Sequence, residues 1–115
     1  MEQQTFIDVI KIVVGKVSQS SVEKNLIKPP GRQPHAKQII LSDWYNNLEE
    51  HDRNAVLDVV KEAVDMTLFG FLTVLDGVAA IENGPDKGKL NLYYEKDKKI
   101  VFLNDPQKEY LHNLL

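Results

Sequence analysis

The chain has 115 residues, 43% of them apolar and 27% charged, with a net charge of −3 and no cysteine. These values fit one globular domain and exclude a disordered segment, a disulfide scaffold and thiolate chemistry. They predict a soluble protein of the reducing cytosol, since the acidic, polar N-terminus lacks secretory-signal features and no apolar run reaches membrane-spanning length.

The first expected helix runs from Thr5 to about Val17. Phe6, Ile10, Val13 and Val17 recur at spacings of four, three and four, which line one helical face. Thr5 with Asp8 forms a capping-box variant at its start. Ser18 to His35 is expected to be a long, mobile loop. It holds four Ser/Gln residues, then Pro29, Pro30, Gly31 and Pro34, which break a continuous helix or central strand. One short helical turn fits between Val22 and Ile27.

Ala36 to Leu48 has a helical apolar set in Ile39, Ile40, Trp44, Tyr45 and Leu48. Trp44 and Tyr45 point about 100° apart on a helix, so one is expected in the core and the other partly exposed. Asp52 to Leu72 carries the strongest helical pattern, with Leu57, Val60 and Val64 expected to be buried. Asp76-Gly77 ends it in a turn. The remainder reads as a three-stranded antiparallel meander of 78–82, 89–95 and 99–103, with Leu90, Leu92 and Tyr94 facing the core. Asp105-Pro106 then starts a C-terminal helix anchored by Tyr110, Leu111, Leu114 and Leu115. The fold class is therefore α+β: two to three N-terminal helices on a three-stranded meander, in a single domain spanning 1–115.

No nucleophile motif, dinucleotide fingerprint or zinc pattern occurs. Gly84-Pro85-Asp86-Lys87-Gly88-Lys89 lacks the Lys-Ser or Lys-Thr pair of a phosphate loop and sits between expected strands, so it reads as a turn. His35, His51 and His112 lie in different elements, without the close pairing of metal ligands. No metal, cofactor or catalytic residue is assigned. Asp76 lies between apolar runs, where it serves either as an acid or base or, more commonly, as an Asx turn bonding its own backbone.

Charge is unevenly spread. Residues 41–82 hold nine acidic and two basic side chains. That balance disfavours nucleic acid as a partner, because backbone binding needs a basic surface. Asp58, Glu62 and Asp65 share one edge of the long helix, with Glu49, Glu50 and Asp52 before it. This acidic set is the candidate surface for a basic protein partner, weighed against a solvated face neutralised by Lys61. Lys28, Arg32, His35 and Lys37 form a basic loop that could hold an anion or ligand, weighed against a plain surface linker.

The run Phe71-Leu72-Thr73-Val74-Leu75-Asp76-Gly77-Val78, with Trp44-Tyr45 and the terminal Tyr110-Leu111-His112-Asn113-Leu114-Leu115, resembles small uncharacterised bacterial domain families. Some members are immunity partners of secreted toxins. The resemblance implies a bacterial binding protein and carries over no catalytic residue. Three readings follow: a non-catalytic protein-binding module of the immunity or adaptor kind, acting in the cytoplasm and away from membranes; a small-molecule-binding or enzymatic domain using Asp76, a histidine and the basic loop 28–37; and a homodimer formed through an exposed strand or helix.

Overall fold

In the computed structural model, which describes residues 1–115, the chain is α+β with three helical stretches and one two-stranded antiparallel sheet. The first stretch runs through α1 (Gln3–Ile10), a π-helical segment (Lys11–Lys16) and α2 (Val17–Ile27). Next come α3 (Ala36–Asn46) and α4 (Glu50–Leu75), then β1 (Tyr93–Lys96), β2 (Lys99–Phe102) and a 3-10 turn at Leu111–Leu114. The chain divides into two compact units, Met1–Ile12 with Met66–Leu115, and Val13–Asp65.

The second unit corrects the expected loop at 18–35, because residues 17–27 are α-helical. Serine is a weak helix former, yet α2 continues a helix already under way and so avoids the nucleation cost. Its end is tied down by tertiary contacts. Leu26 is buried, and the Ile27 carbonyl accepts bonds from Ser42 Oγ (3.4 Å) and Asn46 Nδ2 (3.0 Å) of α3. The helix stops where proline dictates. Lys28, preceding Pro29, is extended at φ −145°, ψ 117°, the conformation forced by the following ring. Gly31 at φ +81° then turns the loop toward α3.

On α3, Tyr45 is buried and Trp44 is half-exposed, as the 100° offset between neighbours requires. Helix α4 begins with Glu50 and Asp52 in its first turn, where carboxylates complement the dipole. Leu57, Val60 and Val64 are half-buried and fall short of the full burial expected.

In the first unit, Ile7, Leu72 and Leu111 are completely buried, flanked by Phe6, Leu75, Leu92, Leu114 and Leu115. The expected capping box at Thr5 is absent; the helix starts two residues earlier, with Glu2 at the cap. α4 ends in a Schellman motif. Val78 N–H donates to the Thr73 carbonyl (3.0 Å) and Gly77 N–H to Val74 (3.1 Å), with Gly77 at φ +74°.

The three-stranded meander is corrected to a hairpin. Tyr93 pairs with Phe102 and Lys96 with Lys99, while residues 78–92 form no strand. Leu92 and Tyr94 are half-buried and Leu90 is exposed. The reason lies in the buried Asn104. Its carboxamide accepts from Leu92 N–H (2.7 Å) and donates to the carbonyls of Leu75 (2.6 Å) and Leu90 (2.7 Å). One side chain thus satisfies backbone groups that a third strand would otherwise have to pair. The C-terminal helix expected from Asp105 is likewise corrected. Asp105 Oδ1 accepts from Gln107 N–H (2.9 Å) in a turn, and only Leu111–Leu114 is helical, as a single 3-10 turn.

Candidate functional site

Asp76 and His112 meet in the first unit. His112 Nδ1 lies 2.7 Å from Asp76 Oδ2, and the Asp76 side chain is only 2% exposed. The Schellman turn aims Asp76 away from its own backbone, so the expected Asx turn is replaced by bonds to a segment 35 residues on. Oδ1 accepts from Leu111 N–H (3.0 Å) and Oδ2 from His112 N–H (2.9 Å). His112 Nδ1 and Asp76 Oδ2 share one hydrogen bond whose donor depends on the imidazole tautomer; a proton on Nδ1 leaves Nε2 as the free base position. Phe69 meets the imidazole edge-on at 5.4 Å and Tyr110 stacks on it at 5.2 Å.

With three donors on its two oxygens, Asp76 acts as a clasp that fastens the C-terminal turn to the end of α4. It also borders an open cleft of about 410 Å³ lined by Leu75, Val78, Ile81, Leu90 and Asn104. His112 does not line that cleft. Beside the clasp, Glu109 accepts from Asn113 Nδ2 (2.8 Å) and Tyr110 N–H (3.0 Å). The amide of Asn113, and secondarily that backbone bond, hold its carboxyl below the usual value of 4.5.

The acidic candidates fall into two groups in the second unit. Glu49, Glu50 and Asp52 cluster at the turn between α3 and α4. His51 lies between Glu49 (3.5 Å) and Asp52 (3.3 Å), all three side chains being largely exposed. Asp58, Glu62 and Asp65 are exposed along α4. Lys61 Nζ binds Asp65 Oδ2 at 3.0 Å, which leaves Asp58 and Glu62 as the unneutralised edge. The same helix exposes Ala55, Val59 and Ala63, spaced four apart, on the adjoining face.

Lys28, Arg32, His35 and Lys37 are all exposed. Lys28 lines an open depression of about 500 Å³ shared with Lys24, Ile27, Pro29, Pro30 and Gly31. The loop belongs to the second unit, whereas Asp76 and His112 belong to the first.

Sequence reasoning missed Asn104, which falls between the last expected strand and the Asp105-Pro106 helix start. It also missed how much apolar surface the helices leave open. In the second unit, Leu26 and Tyr45 are the buried hydrophobics, against ten large apolar residues that are exposed. No group of three or more His, Asp or Glu side chains converges on a metal position, and no helix is long and apolar enough to cross a membrane. No protein-family model, curated protein or solved structure matches the chain.

Proposed function

We propose that this is a non-catalytic protein-binding module of the immunity or adaptor kind, working through the second unit. The observation that carries the reading is the pairing of apolar and acidic surface on α4. Val59 is 66% exposed, and Asp58 and Glu62 run beside it. Water gains nothing from an exposed valine flanked by alanines, whereas a partner with an apolar anchor and a basic rim gains from both burial and steering. Nuclease-type toxins and other proteins with basic clefts present that chemistry.

The test is kinetic. A partner captured by crosslinking in the native host is measured against wild type and against Asp58→Lys with Glu62→Lys. The association rate should fall severalfold or more in the variant, most at low salt, because exposed charges are screened within about 8 Å at physiological ionic strength. An unchanged rate at low salt removes this surface from the interface.

A second reading, a small-molecule-binding or enzymatic domain, is favoured by the Asp76–His112 contact. An imidazole held at Nδ1 by a carboxylate presents Nε2 as a base. The three donors on Asp76 and the absence of His112 from the cleft lining weigh for the clasp.

A further inference from the structure

The outer face of α3 has no covering element in its own unit. Lys37, Ile40, Leu41 and Trp44 recur at i, i+3, i+4 and i+7, one helical face. Ile40 is 66% exposed, Trp44 50% and Leu41 43%. The helix packs on α2 by another face, where Ser42 and Tyr45 are buried and Asn46 reaches the Ile27 carbonyl. The arrangement inverts the usual order: a serine is inside and the one tryptophan of the chain is outside. Exposed tryptophan beside branched aliphatics is the composition of an interface centre.

Charge names the occupant. Residues 28–37, which lead into α3, contain Lys28, Arg32 and Lys37 and no carboxylate. Residues 43–53, at its other end, contain Asp43, Glu49, Glu50 and Asp52 against the one cation Arg53, whose Nη1 donates to the Leu48 carbonyl, a net acidic balance. The apolar face therefore lies between a basic pole and an acidic pole. A surface of that pattern is its own complement when a second copy is laid antiparallel across it. An isologous two-fold contact, the commonest symmetry of homo-oligomers, gives this antiparallel relation when its axis runs perpendicular to the helix.

We infer that α3 pairs with α3 of a second copy about a two-fold axis near Ile40–Leu41. Residue 37 then meets residue 44 of the other chain, because both lie 3.5 positions from that axis. Each Lys37 ammonium is set against the other copy's indole, a cation–π pairing. Arg32 and Lys28 approach Glu49 and Glu50 of the second copy, twice over by symmetry. Antiparallel packing also opposes the two helix dipoles, relieving Lys37, which as a cation in the first turn is unfavourable to its own helix. This contact goes beyond the proposed partner surface, which lies on α4 at Val59, Asp58 and Glu62.

The experiment is a charge swap on the full chain, read by sedimentation equilibrium and by Trp44 emission. Wild type should sediment as twice its 13.1 kDa mass, with emission moving to the blue as concentration rises. Arg32→Glu sets acid on acid at Glu49 and Glu50 of the other copy, at both symmetry-related poles, and Lys37→Glu added to it removes the cation–π pairing. Glu49→Lys with Glu50→Lys makes both base on base. Each variant alone should dimerise at least about tenfold more weakly, as expected for close charge pairs. Mixing the two should restore a heterodimer, because every reversed pole then meets its opposite. If a reversed pair fails to fold by circular dichroism, Glu49→Gln with Glu50→Gln carries the same weakening. A wild type that stays monomeric at high micromolar concentration overturns the inference. So do folded variants that dimerise as wild type does, or a mixture that shows no rescue.

Discussion

Two polar side chains, Asp76 and Asn104, organise the first unit more than their number implies. Each is held at nearly complete burial and bonds to backbone distant in sequence. Removing such an acceptor strands the donors it served, at roughly 1–3 kcal/mol per buried group. Asp76→Ala should therefore lower the unfolding free energy by about 2–4 kcal/mol in urea titration. The C-terminal turn should become the first region to exchange its amides. His112→Ala, which removes one bond of the clasp and its contacts with Phe69 and Tyr110, should cost less, about 1–2 kcal/mol. An Asp76→Ala protein with an unchanged urea midpoint would show that the clasp contributes nothing. Glu109 gives a pH signature in the same turn. Its folded pKa is depressed, so its stabilising contribution is present above the ordinary value of 4.5 and is lost as pH falls through the folded value. Carbon NMR of the Glu109 carboxyl should show a low titration midpoint that rises in Asn113→Ala.

Among the elements, the hairpin carries a visible cost. Asp97 and Lys98 sit at φ 52° and 65°, the left-handed pair of a type I′ turn, where Asn-Gly is preferred. Lys98→Gly should raise stability by about 0.5–1 kcal/mol in thermal unfolding, because glycine removes the strain of positive φ. A lowered melting temperature would contradict the turn assignment. At the core, Leu111→Ala should cost about 2–4 kcal/mol, since the residue has no exposure and its cavity cannot collapse onto solvent. These elements differ in how legible they were. The long helix was readable because its apolar period persists through more than five turns and Gly77 supplies its stop. Trp44 and Tyr45 divided between exposed and buried as geometry alone requires. The helix at 17–27 was not readable, because Val17-Ser18-Gln19-Ser20-Ser21 shows neither propensity nor period; it is helical by continuation and by what Ile27 accepts from α3. The third strand failed for a related reason. Val78 to Glu82 has strand composition, but Val78 and Ala79 donate to the Thr73 carbonyl at the helix end, and Asn104 takes the Leu90 carbonyl and Leu92 N–H. The Asp76–His112 pair is legible only as Asp76 with an unspecified histidine, since a bond across 36 positions leaves no local trace.

For the molecule as a whole, the second unit is where the account stands or falls. Its helices bury few large apolar side chains and expose many, so their outward faces are read as binding surfaces: α3 for a second copy, and α4 for a basic partner. The separation is testable, because Asp58→Lys with Glu62→Lys should alter partner association without changing the self-association of α3. The most direct measurement uses the single tryptophan, which lies at the C-terminal end of the apolar α3 face. Its emission maximum and its accessibility to acrylamide are followed as the full chain is diluted from high micromolar to nanomolar concentration. The account predicts a blue-shifted, protected Trp44 at high concentration that becomes red-shifted and quenchable on dilution, with a salt-dependent midpoint. An emission maximum and quenching constant that stay the same across the whole range would contradict it.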